Sequence, residues 1–319
     1  MAKVEKLVII TKHTWLEGLI EQFNTKAQAN FYIDQNLGPN NFTYYEESHN
    51  QYYKSLNQLK KSIPDKLKYQ IVESSFLPNF LFNKTDLVVC IGPDGLVVNT
   101  AKYLNGQYIL AINPDIQRID GVLLPFTVES LNIGELIENI EQNDINLANI
   151  TMAKAELNDN QVLYGVNDLF IGQQTHVSAR YTLEYGDMSE SQSSSGIIVS
   201  TGAGSTGWFR SIITGAIGIT QNARQNINIG HIQEDDYRFH WDADYIYFSV
   251  REPFKSKTSG TDLIFGTIYE GDHLKVTSKM PDNGVIFSDG VEKDYLRFNS
   301  GTIAKIGIAD KKVRLLLNS

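Results

Sequence analysis

The run Leu87-Val88-Val89-Cys90-Ile91 holds five apolar residues with no polar alternation, and it stops at once on Gly92-Pro93-Asp94-Gly95. A strand with no polar side is buried on both faces, which happens when helices cover both sides of a mainly parallel sheet. The surrounding segments follow the same plan. Residues 4–11, 69–72 and 108–112 read as further strands, and residues 14–29, 52–63, 96–104 and 128–143 read as the helices that connect them. In the first helix Trp15, Leu19, Ile20 and Phe23 recur at helical spacing, and Thr14 with Glu17 three residues later reads as its capping box. Residues 36–50 read as a loop, and Pro64 stops the helix that follows.

From Ile150 the texture changes to short alternating runs such as Val177 to Tyr185, Tyr245 to Val250 and Leu274 to Thr277, broken by turn signals. That pattern predicts an antiparallel β domain. Asn283-Gly284 fits a tight hairpin turn of the type that needs φ > 0 at both central residues. Residues 220–236, rich in Asn and Gln, read as an exposed loop. The expected architecture is therefore α/β plus all-β: a Rossmann-like domain over residues 1–145 and an antiparallel β-sandwich over residues 146–319. The last strands are free to pack back on the first domain. A chain of 319 residues is long enough for two such cores.

Composition excludes several function classes. The net charge of -9, with 28 Lys and Arg scattered without a basic run, gives no footprint for nucleic acid. No apolar run approaches the roughly 18 residues of a membrane span, so a soluble cytoplasmic protein is expected. The single cysteine, Cys90, has no disulfide partner and reads as a buried thiol. The six histidines form no metal-ligating pair, and no resident metal site is expected.

Three segments carry candidate chemistry. The turn Gly92 to Gly95 lies where a parallel strand ends and a helix begins, a place where free backbone amides and small residues admit a phosphate. Asp94 there is suited to orienting an attacking hydroxyl or to helping hold Mg²⁺. Pro-Asp-Gly is also an ordinary turn, and the tetrapeptide alone does not separate the two. The second segment, Ile197 to Trp208, again runs a buried strand into a small hydroxyl-rich loop with Ala203, Gly204, Ser205 and Thr206. It suits phosphate or sugar hydroxyls, and equally a tight turn with a helix cap; it lacks the lysine of a Walker loop. The third, Leu163 to Ile171, sets Asn167 and Asp168 side by side in an apolar β run. One of them turns inward or marks a bend, and a buried amide or carboxylate needs either backbone partners or a polar ligand.

In this order the segments resemble the NAD kinase family, whose motifs are written GGDG, NE, TGSTAY and a later DG pair. Here they read Gly92-Pro93-Asp94-Gly95, Asn167-Asp168, Gly204-Ser205-Thr206-Gly207-Trp208 and Ser288-Asp289-Gly290. The spellings are most similar to a divergent branch that includes mitochondrial-type NAD kinases and their bacterial relatives. The resemblance implies an ATP-dependent transfer, with Mg²⁺ accompanying ATP, to the adenosine 2′-hydroxyl of NAD or NADH. It implies that Asp94 orients that hydroxyl and that Gly92, Gly95 and Asn99 face phosphate, with Lys102 as a further candidate. Asn167 and Asp168 would hold the dinucleotide, and Ala203, Gly204, Ser205, Thr206, Ser211 and Ser195 would line the same site. A homodimer or homotetramer is implied as well. Asp94→Asn is then expected to abolish product and leave folding intact.

Several positions depart from the family pattern. Pro93 replaces a glycine and removes an N–H, Asp168 is one methylene shorter than the usual glutamate, Ser195 stands at a usually acidic position, and Trp208 replaces a tyrosine. A lipid or sphingoid-base kinase and a noncatalytic NAD-binding sensor remain as alternatives.

Overall fold

The structure, a computed structural model, describes residues 3–38, 41–223 and 236–318. The chain divides into two compact units, one of residues up to 147 together with 314 onward, the other of residues 148–313.

The first unit is built on a parallel sheet. Strands β1 (Lys6–Thr11), β2 (Lys68–Glu73), β3 (Asp86–Ile91) and β4 (Tyr108–Asn113) lie in the order β2-β1-β3-β4, every neighbouring pair parallel. The short β5 (Phe126–Thr127) pairs with the carboxyl end of β4. All six residues of β3 are buried, as its unbroken apolar run requires. Alternate side chains of these strands meet α3 (Asn41–Ser62) and α5 (Ile133–Gln142) through Leu56, Leu59, Ile133 and Ile140, while α4 (Asp94–Ala101) packs against β1, β3 and β4. Cys90 is fully buried, and burial pushes its thiol up to about 12.

The first helical segment differs from its sequence reading. Instead of one helix and a loop, α1 (Trp15–Phe23) ends at Asn24 in the left-handed conformation, φ 63°, and α2 (Lys26–Leu37) starts afresh with Thr25 as its cap. The next helix, α3, then begins at Asn41, so most of the expected loop is helical. The buried stripe of α1 is Leu16, with Leu19, Ile20 and Phe23 packed beside it, which is the i, i+3, i+4, i+7 pattern. Trp15 is off that stripe and 78% exposed. The capping box of Thr14 and Glu17 is present.

The second unit is an antiparallel sandwich. One sheet contains β6 (Leu147–Leu157), β7 (Val162–Gly165), β9 (Ala179–Tyr185), β10 (Met188–Ser194), β14 (Leu274–Ser278) and β17 (Ile303–Leu316). The other has the order β13-β12-β11-β8-β15-β16, with β8 (Asp168–Gln173), β11 (Ile197–Ser200), β12 (Tyr245–Val250), β13 (Phe265–Tyr269), β15 (Gly284–Ser288) and β16 (Val291–Arg297). Their facing side chains, among them Leu169, Ile171, Val199, Phe248 and Ile286 against Tyr181, Leu183, Val276 and Ile306, form one core. Helix α6 (Trp208–Ala223) covers part of the outer face, where Phe170, Ile198 and Val285 meet Trp208 and Ile212. The last strand ends in the first unit, where Arg314 and Leu315 pair in parallel with Tyr108 and Ile109.

Two loop readings are corrected. Residues 220–223 belong to α6, and the rest of the Asn- and Gln-rich stretch up to residue 235 lies outside the described residues. At Asn283-Gly284 only Asn283 has positive φ, 52°, so the turn is not of the expected type. Gly284 is required instead because a Cβ there would sit 2.0 Å from the carbonyl oxygen of Phe298. The turn with positive φ at both residues is Asp289-Gly290, at 56° and 70°. Among the described residues no helix is long and apolar enough to cross a membrane.

Candidate functional site

In the first unit Asp94 opens α4 directly after β3, at the carboxyl edge of the parallel sheet. Its two carboxylate oxygens accept the backbone N–H groups of Val122, at 3.0 Å, and Leu123, at 2.9 Å. The acid therefore anchors the loop that leads into β5. A carboxylate has about four lone-pair positions, so two remain for another donor. Gly92 has φ 156°, a backbone conformation that residues with a side chain rarely adopt, and a Cβ on it would lie 2.9 Å from the tip of Leu96. A Cβ at Gly95, by contrast, would meet open space. Pro93 caps α4 with no side-chain bond. Further along the helix the Oδ1 of Asn99 is buried and has no hydrogen-bond partner among the described residues, and Lys102 is only 6% exposed.

In the second unit three distant segments converge. The carboxylate of Asp289 accepts three consecutive backbone N–H groups, those of Val166 at 3.1 Å, Asn167 at 2.7 Å and Asp168 at 3.2 Å. The N–H of Asp289 returns a bond to the carbonyl of Asp168 at 3.1 Å. On the other side the hydroxyl of Thr201 donates to the carbonyl of Val166, and its N–H reaches the carbonyl of Asn167 at 3.0 Å. Gly204 is where the two loops press together: a Cβ on it would lie 2.0 Å from the Asn167 carbonyl oxygen. Its glycine is thus explained by packing of backbone on backbone.

Asp168 is the unusual member of this cluster. It is 7% exposed, and its Oδ1 is buried with no partner among the described residues. Burial first, and the neighbouring Asp289 carboxylate second, push its pKa up to about 7. A carboxylate in that state lacks the donors that would hold it ionised, and a polar ligand can supply them. Asn167 next to it is half-buried.

The remaining candidates are placed as follows. Ala203, Gly204, Ser205 and Thr206 form a 3₁₀ turn between β11 and α6. Ser205 is fully buried and donates its hydroxyl to the carbonyl of Gly202 at 2.7 Å, whereas Thr206 is exposed. Ser211 is exposed on α6 and bonds back to Gly207 at 3.3 Å. Ser195 is not in the converging turns. It donates to Glu252 and lines a cavity of about 450 Å³ on the outer sheet face.

That cavity shares its sheet face with Asp168. In β8 residues 168 and 170 point the same way, and they pair with Ser200 and Ile198 of β11. Phe170 is stacked under Trp208, with ring centroids 5.8 Å apart, and lies 4.8 Å from Phe287. Arg251 sits over Trp208 at 5.3 Å. The sequence reading named neither this aromatic floor nor Arg251 and Glu252. The alternation of β8 and β15 carried the signal for the floor, but the pairing that brings Phe170 to Phe287 spans 117 residues and is not written locally.

No family model matches the chain, and no curated protein matches it in sequence. Solved structures do match. The crystal structure of yeast NADH kinase complexed with NADH has a TM-score of 0.57 at 13% identity, covering 98% of this chain and 84% of that one. An NAD kinase from Archaeoglobus fulgidus in complex with ATP has a TM-score of 0.56 at 15% identity, covering 98% and 94%. The fold of this chain is the two-domain fold of the NAD and NADH kinases.

Proposed function

We propose that the chain transfers a phosphoryl group from ATP to the 2′-hydroxyl of the adenosine ribose of NAD or NADH. The observation that carries this reading is the convergence in the β unit of Asn167-Asp168, the loop from Thr201 to Gly204, and Asp289. It leaves one buried carboxylate oxygen in want of a donor. Vicinal ribose hydroxyls are donors of the right kind for it. The aromatic floor of Phe170 and Trp208 on the same face suits a flat ring of the dinucleotide. That the related folds hold NADH and ATP agrees with these two substrates.

On this reading Asp94 accepts a hydrogen bond from the attacking hydroxyl through a lone pair that Val122 and Leu123 leave open, and takes up its proton as the phosphate arrives. Gly95 and the first turn of α4 present backbone N–H groups to phosphate. Among the described residues no group of three or more His, Cys, Asp or Glu stands ready to hold a metal. On this reading magnesium enters with the substrate, carried on the phosphates of ATP.

A second reading is favoured by one observation: both oxygens of Asp94 already hold backbone amides, and Pro93 offers no N–H, as in a protein that binds NAD without phosphorylating it. Mass spectrometry of mixtures of the protein, MgATP and either NAD or NADH decides between them. A product heavier by one phosphate supports transfer, and dinucleotide binding without product supports the sensor. Asp94→Asn should cost stability as well as activity, because its amide would set a donor against the N–H of Val122 or Leu123. A loss of roughly 1–3 kcal/mol in stability accompanies any loss of activity. Retention of NADH binding by this variant separates a chemical role from a collapsed loop.

A further inference from the structure

A cavity of about 500 Å³ opens in the first unit at the carboxyl ends of β1, β3 and β4, beside Asp94. Gly92 and Pro93 line it on the side of the candidate acid, Lys12 and His13 line it where β1 ends, and Trp15 and Tyr44 line it from the helices. Both aromatic rings are open to solvent, Trp15 at 78% and Tyr44 at 53%.

An exposed indole lining a mainly apolar cavity is a surface open to a flat partner. The helix start that carries it is held in place. Trp15 is the first residue of α1, immediately after the Thr14 cap. The Thr14 hydroxyl lies 2.8 Å from Nδ1 of His49 on α3, and Glu17 accepts the hydroxyl of Tyr53 at 2.5 Å, so the start of α1 is tied to the helix that carries Tyr44. Tyr44 is backed in turn by the guanidinium of Arg118, 5.6 Å from its ring centroid, and Arg118 is fixed by Asp115 at 3.0 Å and by Glu47. Tyr44 therefore has little side-chain freedom left to lose when a ring settles against it. Lys12, exposed and lining the same cavity, adds a cation to it.

We propose that Trp15 and Tyr44 grip the base of the phosphoryl donor and make the site select a nucleoside triphosphate over a bare polyphosphate. The triphosphate runs past Lys12 toward Gly92, Pro93 and Asp94. Stacking reads the presence of an aromatic base more than its edge, because every base has a π-face. This assignment rests on the reading of the chain as an ATP-dependent kinase.

The test measures binding to the full chain by calorimetry, with MgATP, magnesium tripolyphosphate and NADH as separate titrants and no second substrate present. Trp15→Ala weakens MgATP ten-fold or more and leaves tripolyphosphate within two-fold; Trp15→Phe restores most of the loss; Tyr44→Ala follows Trp15→Ala. In turnover the alanine variants raise KM for ATP and keep kcat. Equal weakening of MgATP and tripolyphosphate, unchanged MgATP affinity, or loss of NADH in place of ATP would each overturn the assignment. Trp15 is exposed, so the variant folds, and a thermal melt checks this. If the wild type binds MgATP through Trp15 yet phosphorylates no dinucleotide, the kinase reading falls and the donor pocket stands. If it phosphorylates NAD and Trp15→Ala is indifferent, the pocket falls and the kinase reading stands.

Discussion

Asp168 shows how one side chain can report on both stability and binding. Its folded pKa is raised to about 7 from an ordinary 3.8, so between those values the folded protein holds a proton that the unfolded chain has lost. Stability therefore falls as pH rises through this window, and the full penalty, on the order of 4 kcal/mol, is reached above it. Asp168→Asn removes the titration. The variant should melt above the wild type by a margin that widens from pH 5 to pH 8, and parallel melting curves across that range would contradict a buried, poorly solvated carboxylate. A ligand hydroxyl donated to the orphaned Oδ1 favours the ionised form, so NADH binding near pH 7 should release a proton. Calorimetry in buffers of different ionisation enthalpy measures that release directly. A heat of binding that is the same in every buffer would place the dinucleotide away from Asp168.

At the scale of elements, the stability of the β-unit site rests on one turn holding another. Asp289 sits at φ 56° and Gly290 at φ 70°, which lets the chain reverse between β15 and β16 while the Asp289 carboxylate faces three amides of the turn before β8. Asp289→Ala leaves those N–H groups without their charged acceptor and should cost roughly 3 kcal/mol or more, read as a lower urea midpoint. Gly290→Ala, which only forces a side chain into the left-handed region, should cost about 1 kcal/mol; equal losses would mean that the amide clamp adds nothing. This turn also marks the boundary of what the sequence made legible. The β3 strand could be read to the residue because five apolar side chains in a row leave no other solution. Asn283-Gly284 was misread because glycine there answers to the Phe298 carbonyl and not to a turn, and no local pattern shows that contact. The break at Asn24 was missed for a related reason: apolar spacing continues through it, and only packing of α1 against α2 and α3 shows that the chain has turned. Motif order made Asn167 and Asp168 candidates and gave Asp289 no role; the bonds that tie Asp289 to them cross more than a hundred residues and could be found only in three dimensions.

For the whole molecule the two units carry separate cores and, on the proposed reading, separate substrates. Leu56, Leu59, Ile133 and the buried strands form one interior, and the sandwich residues Tyr181, Phe248 and Ile286 belong to another. A ligand that binds only the native state of one unit stabilises that unit by RT ln(1 + [L]/Kd), about 2.7 kcal/mol at a hundred-fold excess over Kd. For units of this size that raises the melting temperature by roughly 5–10 °C. Scanning calorimetry of the full chain should accordingly resolve two transitions, which Asp289→Ala identifies by lowering the one that belongs to the β unit. MgATP should then raise the transition of the α/β unit, through the pocket of Trp15 and the amides around Gly95, whereas NADH should raise the transition lowered in Asp289→Ala. The division of labour is what the experiment weighs: NADH acting on the α/β transition alone would move dinucleotide recognition away from Asp168 and the 3₁₀ turn, and the assignment of the β unit would fall with it.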